Sequence, residues 1–353
     1  MTPILRALAT ANPPFYATQK EAYEFYASHF KLAPEEDELY RRLLLEGPIH
    51  GRFFGLDKRD DACETDPDLL NARFLKYARL IATAAAHKAL EEANLSAKSL
   101  GGLVVNTCTG YLCPGLTSYV AEDLGLEGDL RTLDLAGMGC GGALPNLQAT
   151  AGLLALDETR PILSLAVEIC SATLFMGPDP ALIVSNSIFG DGAAAAILQA
   201  REPEDNKSLL RIVDFASGLY PKYRKQLHYR QEGGRLRNVL SVKVPLIGAK
   251  TDREVLNRLL ARHNLNQKDI SWWAVHAGGT AVLDQVGRDL GLDKEDLRFS
   301  LEVFHTYGNM SSPSVLFALR RILDQGHPRS GERGILLSFG AGFSAFAALV
   351  EFL

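Results

Sequence analysis

Three side chains in this sequence have the chemistry to carry one reaction together. Cys140 lies in AGMGCGGALPNL, His276 in WWAVHAGGT and Asn309 in HTYGNMSSP. A thiol becomes a nucleophile when it loses its proton, and it can hold an acyl group as a thioester. An imidazole and a carboxamide are donors that can be aimed at an oxygen on which negative charge develops. Thiol, imidazole and amide converging on one carbonyl suit acyl transfer through a stabilised oxyanion or enolate. Glycines flank Cys140 on both sides, which allows a tight elbow and a close substrate approach. A helix starting nearby would aim backbone N–H groups at the sulfur and favour a thiolate. Each residue alone also has a plain structural reading: Cys140 as a buried turn cysteine, His276 as a strand-end histidine, Asn309 as a cap or turn residue. His305 lies close to Asn309 in sequence and competes for the imidazole role.

An internal repeat supplies the elements that would bring these residues together. EANLSAKSLGGLVVN parallels ARHNLNQKDISWWAVH, matching Asn94, Leu95 and Lys98 with Asn264, Leu265 and Lys268. EDLGLEGDLR parallels RDLGLDKEDLR, matching Asp123–Leu126 with Asp289–Leu292 and Arg131 with Arg298. The spacings are 170 (94 to 264), 166 (123 to 289) and 167 (131 to 298), in the same order along the chain. On this register Asn106 falls opposite His276, and Gly139-Cys140 opposite Gly308-Asn309.

The apolar periodicity predicts helix 72–93, strand 103–105, helix 115–124, strand 131–135, helix 144–156 and strand 161–167 in the first unit. The second unit reads as helix 252–263, strand 272–276, helix 280–290, strand 298–303, helix 312–325 and strands 334–339 and 344–352. Alternating helices and apolar strands predict an α/β fold with parallel-rich sheets buried on both faces. Two stacked halves give a five-layer αβαβα sandwich. The halves are expected at 1–204, carrying the cysteine, and 205–353, carrying histidine and asparagine, with the join near Pro203–Lys207. The Arg-rich segment Tyr220–Arg237 reads as a surface insertion. Ligands of α/β folds gather at the carboxyl ends of strands, where Cys140, His276 and Asn309 all fall.

Composition narrows the class further. The chain has 353 residues, 47% hydrophobic and 22% charged, which excludes disordered, collagenous and small disulfide-stapled proteins. A net charge of −5 without charge blocks gives no footprint for nucleic acid. Five cysteines without a CxxC suggest a reduced, cytoplasmic protein. Cys108 and Cys113 lack the second Cys/His pair that a zinc site needs. The apolar run from Gly334 is cut by Gly340, Gly342 and Ser344, which fits two strands rather than a membrane span. The N-terminus lacks a signal-peptide core. There is no Walker motif and no GxGxxG after a strand.

GMGCGG, IFGDGAAAAIL, WAVHAGGTAVLD and YGNMSSPSVLFAL resemble, in that order and over nearly the whole chain, the motifs of type III polyketide synthases, the chalcone synthase family. The resemblance implies a duplicated thiolase fold, a homodimer, and acyl-CoA and malonyl-CoA as substrates with no metal or other cofactor. It implies Cys140 as the nucleophile that holds starter and growing chain. His276 and Asn309 would form the oxyanion hole and promote malonyl decarboxylation, and Phe189 would be a gatekeeping aromatic. Cys108, Thr109, Cys113, Cys170, Asn238 and Phe339 fall at pocket positions. Ala281 matches a backbone contact to the pantetheine arm, and Arg52 is the expected basic residue at the mouth of the coenzyme A tunnel.

The departures bear on the substrate. Asn238 stands near the position of a second gatekeeping Phe, Cys113 where plant members carry Met, and FGAG (Phe339–Gly342) where they carry FGPG. These changes speak against phenylpropanoid starters. Small residues at 113 and 170 leave room for an acyl tunnel, so a bacterial-type alkylresorcinol or alkylpyrone synthase is the leading expectation. Cys108, shared with many bacterial members, keeps a malonyl-primed, tetrahydroxynaphthalene-type synthase as the alternative. A single condensation like that of ketoacyl-ACP synthase III, or a binding protein that has lost activity, are more distant readings.

Overall fold

The computed structural model describes residues 2–200 and 208–353, so the expected join at Pro203–Lys207 lies outside the described residues. The first half opens with strand β1 (Ile4–Ala11). A cap follows, made of β2 (Phe15–Thr18), α1 (Gln19–His29), α2 (Pro34–Leu44) and β3 (Gly51–Phe54), with β2 paired to β3. The long helix α3 (Pro67–Glu92) begins where the Asp66 carboxylate accepts from the backbone N–H groups of Asp68 and Leu69. After it come β4 (Gly102–Asn106), α4 (Leu116–Asp123), β5 (Arg131–Leu135), α5 (Ala143–Leu154), β6 (Ile162–Glu168), α6 (Pro180–Ile188) and β7 (Gly192–Gln199).

The second half contains β8 (Leu210–Leu219), a hairpin of β9 (Leu227–Glu232) and β10 (Arg235–Leu240), and α7 (Val244–Arg262). It continues with β11 (Trp272–Val275), α8 (Thr280–Leu290), α9 (Arg298–Tyr307), α10 (Ser314–Arg321), β12 (Arg333–Gly340) and β13 (Ser344–Phe352). Among the described residues, nine strands form one sheet in the order β11-β12-β13-β8-β1-β7-β6-β4-β5. The halves join where β1 meets β8 at Ile4 and Leu5. Helices α3 and α4 cover the outer face of the first half, α5 and α10 fill the space between the halves, and α7 and α8 cover the outer face of the second. This is the five-layer thiolase-type arrangement.

Small side chains let the layers approach closely. Strand β7 reads GAAAAILQ; Ala193 and Ala195 join the core under α3, while Ala194 and Ala196 join the core of the inner helices. Helix α3 answers with Ala78, Ala82, Ala85, Ala86 and Ala89, all fully buried. A strand with helices on both faces has no polar side, which is why period-2 alternation is absent there.

The repeat is visible in the backbone. Asn94 and Asn264 both take a φ of 52°, Gly125 and Gly291 take 64° and 67°, and Gly139 and Gly308 take 56° and 69°. Three features differ from expectation. Pairing is parallel for β4–β5, β4–β6 and β11–β12 and antiparallel in the other ladders, because the strands that close each half return beside their predecessors. Residues 298–303 belong to α9 rather than to a strand: Phe299, Ser300, Val303 and Phe304 are buried at helical spacing, although Phe299, Leu301 and Val303 also alternate. The Tyr220–Arg237 segment is more than a surface insertion, since β9 and β10 wall a cavity of about 830 Å³.

The end of β12 rests directly on the turn that carries Cys140. A Cβ at Gly340 would lie 2.1 Å from the Met138 carbonyl oxygen and 2.5 Å from the Gly141 nitrogen. Gly340→Ala is therefore expected to destabilise the fold by about 2 kcal/mol or more, because backbone must move. Calorimetry of the variant checks this, and an unchanged melting temperature would show that the contact is not rigid.

Candidate active site

Cys140 sits on a single 3-10 turn, Gly139–Gly141, between β5 and α5. The left-handed Gly139 bends the chain so that the sulfur faces the inner layer. Its Sγ lies 3.5 Å from the Ser311 hydroxyl, which donates to it. Burial pushes the thiol up to about 12; the Ser311 hydrogen bond works against this and the Glu168 carboxyl adds to it. Burial thus opposes the helix-stabilised thiolate that the sequence suggests. Helix α5 begins only at Ala143, beyond the turn, and burial outweighs what its start supplies.

His276 follows β11, and its backbone N–H donates to the Leu337 carbonyl at 2.8 Å. Its ring stands edge-on to Phe339, with centroids 6.2 Å apart. Burial pushes the imidazole down to about 4, so it is neutral near pH 7. Its Nδ1 is buried without a partner. A bare Nδ1 suits the unprotonated nitrogen, which leaves the proton on Nε2 as a donor.

Asn309 follows α9 and is fixed on every side. Its backbone brackets the Phe189 loop, with Asn309 N–H donating to Ile188 and Gly190 N–H donating to Asn309. Its Nδ2 donates to the Gly278 carbonyl at 3.1 Å, and its Oδ1 accepts from the Ser311 N–H at 2.8 Å. A Cβ at Gly278 would come within 3.2 Å of His276 Nε2. The three sequence-derived residues are therefore linked in one chain: Cys140 through Ser311 to Asn309, and Asn309 through Gly278 to His276. His305 lies in the last turn of α9, with its ring 6.2 Å from that of His50, outside this chain.

Sequence reasoning missed Glu168, the carboxylate that ties the site together. It is fully buried at the end of β6. It accepts from the Ser312 hydroxyl at 2.6 Å, the Thr109 hydroxyl at 2.9 Å, the Cys108 N–H at 3.0 Å and the Cys108 thiol at 3.3 Å. Ser311 also reaches it at 3.4 Å. Burial raises its pKa while these donors lower it. The available signal was an acid closing an otherwise apolar strand, ILSLAVE, since a buried acid needs donors around it.

A cavity of about 830 Å³ opens onto Cys140. Of the expected pocket residues, Cys108, Phe189 and Asn238 line it. Tyr229 of β9 also lines it, with its hydroxyl 3.3 Å from that of Thr173, and this residue was not foreseen within its charged segment. Cys170 is wedged behind Cys140 and Phe189 in an apolar cluster. Thr109 faces Glu168 and accepts from the Ile169 N–H instead of facing the cavity. Phe339 backs His276 and stacks on Phe343, away from the cavity lining. Cys113 is exposed on the loop between β4 and α4 and does not reach the cavity of its own chain. Ala281 is exposed in the first turn of α8, just past Gly278 and Gly279.

Arg52 is a correction of a different kind. It is entirely buried in β3, not at a tunnel mouth. Its guanidinium donates to Gln19 Oε1 at 2.8 Å and to the carbonyls of Asn186 and Phe189 at 2.7 Å each. It fixes the loop carrying Phe189, and a side chain used in this way has no reach to solvent phosphates.

Residues 220–352 match the family described as chalcone and stilbene synthases, C-terminal domain, and residues 62–218 match the FAE1/type III polyketide synthase-like protein family. The chain is 33% identical to the 3,5-dihydroxyphenylacetyl-CoA synthase of Streptomyces toyocaensis over 89% of this chain and 83% of that one. The chain belongs to the type III polyketide synthase family. It is 31% identical to the 1,3,6,8-tetrahydroxynaphthalene synthase of Streptomyces peucetius subsp. caesius, over 98% of this chain and 92% of that one. The solved tetrahydroxynaphthalene synthase of Streptomyces coelicolor A3(2) superposes with a TM-score of 0.91 at 26% identity, covering 99% of each chain. PKS-I of the brown alga Ectocarpus siliculosus superposes at 0.89 with 25% identity, over 100% of this chain and 98% of that one. This type III polyketide synthase is a CoA-dependent acyltransferase that condenses acyl units iteratively into a polyketide-type product. No helix among its described residues is long and apolar enough to cross a membrane.

Two outcomes follow for this site. His276 is held neutral, so the stability it contributes is complete above about pH 6.5 and is lost as pH falls toward 4, an effect of about 3 kcal/mol. Melting temperatures from pH 7 to 4 should therefore fall less steeply for His276→Gln than for the parent, and parallel curves would contradict a buried neutral imidazole. A Cβ at Gly248 would lie 2.4 Å from the Phe339 ring, so Gly248→Ala must move the ring that backs His276. Turnover is expected to drop by about tenfold, the effect of misplacing a donor, and steady-state kinetics with a retained melting temperature check it.

Proposed function

We propose that this enzyme primes itself with malonyl-CoA and builds a short poly-β-keto chain that closes to a compact hydroxylated aromatic. The linked set Cys140, Ser311, Asn309, Gly278 and His276, of which Cys140 and Ser311 line the cavity, is the observation that carries the condensation chemistry. Cys140 attacks the thioester carbonyl of an acyl-CoA, its thiol proton passes to the departing sulfur, and coenzyme A leaves as the thiol. A malonyl-CoA then loses carbon dioxide. The enolate oxygen so formed takes hydrogen bonds from His276 Nε2–H and the second Nδ2–H of Asn309, neither of which needs a charge to donate. The enolate carbon attacks the acyl carbon on Cys140, the sulfur leaves, and the chain is two carbons longer. Reloading onto Cys140 repeats the cycle.

The choice of starter rests on the walls. An open acyl tunnel was inferred from small residues at 113 and 170, but Cys113 is exposed outside and Cys170 is packed behind the nucleophile. Tyr229 and Thr173 stand on the hairpin side. Cys108 places a second thiol beside Cys140, with the Ser311 hydroxyl 3.5 Å from each sulfur. The likeness to the 3,5-dihydroxyphenylacetyl-CoA and tetrahydroxynaphthalene synthases, both named for compact aromatic products, supports the same reading.

A homodimer fits the unpaired edge. Strand β5 lies at the end of the sheet with its central residues exposed, including Leu133, and Tyr111 beside Cys113 is 81% exposed. A bare edge strand with apolar neighbours invites a second copy. The free cysteines fit a reducing, cytoplasmic setting.

Mass spectrometry of products from malonyl-CoA alone, beside malonyl-CoA with a ladder of acyl-CoA starters, tests the reading. An aromatic product from malonyl-CoA alone is expected; product only with long acyl chains would return the alkylresorcinol or alkylpyrone reading. Cys140→Ala is expected to abolish condensation while leaving malonyl-CoA decarboxylation measurable as carbon dioxide release. His276→Ala should lose both, at a cost of about 3–4 kcal/mol in the barrier. Full product from Cys140→Ala would sink the assignment.

A further inference from the structure

The β9–β10 hairpin and the turn leading into it carry two sets of basic side chains, and they are treated differently. Arg230 and Arg237 are ion-paired: both reach Glu232, and Arg237 also reaches Asp179 at 2.9 Å. Arg235, Lys225 and His228 line the cavity instead. Arg235 is half-buried, with its guanidinium 4.1 Å from the centre of the Phe175 ring, and it has no acidic partner among the described residues. Lys225 is exposed at the rim and likewise unpaired. His228 Nδ1 is buried without any hydrogen-bond partner. Arg224 stands beside them, held only by the Pro221 carbonyl at 3.3 Å. Asp68 is the one carboxylate among the described residues lining this cavity. In a chain with net charge −5, where arginines on the same hairpin find carboxylates, Lys225 and Arg235 on the cavity wall beside the bare His228 Nδ1 are placed to receive an anion from outside.

We propose that Lys225, His228 and Arg235 form an anion-binding wall that captures an oxyanion of the incoming thioester. This deepens the function proposed above and rests on it. The captured group is a carboxylate or a phosphate, and a malonyl-CoA molecule carries both. A guanidinium laid over an aromatic face is held in place with its N–H edge free, which suits it to grip either oxyanion. The wall lies on the hairpin and the turn that leads into it, outside the set of residues that does the bond chemistry, so it acts on substrate capture and not on the condensation step.

The double variant Lys225→Gln/Arg235→Gln tests this, with Arg230→Gln as the ion-paired control. KM is measured for malonyl-CoA and for the malonyl thioester of N-acetylcysteamine, which keeps the carboxylate but has no phosphate. The double variant is expected to raise KM for malonyl-CoA by tenfold or more with kcat within about twofold, while the control changes neither. A matching rise for the N-acetylcysteamine ester assigns the wall to the carboxylate; a rise confined to the coenzyme A ester assigns it to the phosphates. KM unchanged for both esters overturns the proposal. The single Lys225→Gln change at the exposed rim serves if the double variant does not fold, with a rise of about threefold expected and none overturning it. Should the parent enzyme make no polyketide, the proposed function fails separately. Calorimetric titration of coenzyme A and of malonate into parent and variant then decides: binding weakened tenfold for either ligand upholds the wall, and equal binding of both overturns it.

Discussion

The structure depends on a buried acid being fully answered by donors. Glu168 sits at no exposure between the two halves, where an unpaired carboxylate is costly. Four hydroxyls, one thiol and one backbone N–H converge on it. They come from the segment after β4 and from the start of α10, so satisfying one carboxyl fixes the two halves against each other. Cys108 and Ser311 are placed by this requirement, and Ser311 in turn places Cys140 and Asn309. The reactive set is therefore positioned by a polar knot beside it as much as by its own contacts.

Duplication explains how such a set can arise from two similar halves. Asn106 and His276 occupy matched strand ends, but only one of them carries reactive potential. Asn106 is tied to Ser312 and Asn146 in a buried network that locks β4, β6 and α5 together. His276 keeps a bare nitrogen. Cys140 and Asn309 show the same division on matched left-handed glycine turns, one presenting a thiol and the other a carboxamide. The shared backbone brings the strand ends together, and the side-chain differences make the ends complementary.

Much of this was legible in the sequence because it is local or repeated. The αL caps at Asn94 and Asn264 and the glycine turns before Cys140 and Asn309 are written in residue types that favour those conformations. The alternation of strands and helices was readable for the same reason. Long-range geometry was not. Arg52 looks like a surface cation in GRFF, and only the packing of α6 and the Phe189 loop around it makes it a buried clamp. Residues 298–303 satisfy both periods, and the chain takes the helix α9 there, leaving β11 as an edge of the sheet. Glu168 and Tyr229 matter through partners distant in sequence, which no spacing rule reveals.

The division between knot and hairpin has a consequence for how this enzyme could change substrate. The proposed bond-making residues lie within the repeated halves, where Gly340, Gly248 and Gly278 leave no room for an added Cβ without displacing a neighbour. The cavity wall formed by β9 and β10 pairs only with itself and with side chains such as Ser185, Thr173 and Asp179. Substitutions at Tyr229, Asn238 or Arg235 can thus reshape the space above Cys140 at the cost of a few side-chain contacts. Substitutions in the knot disturb the junction of both halves. Packing therefore constrains the set around Cys140 more tightly than it constrains the two-stranded wall of the cavity.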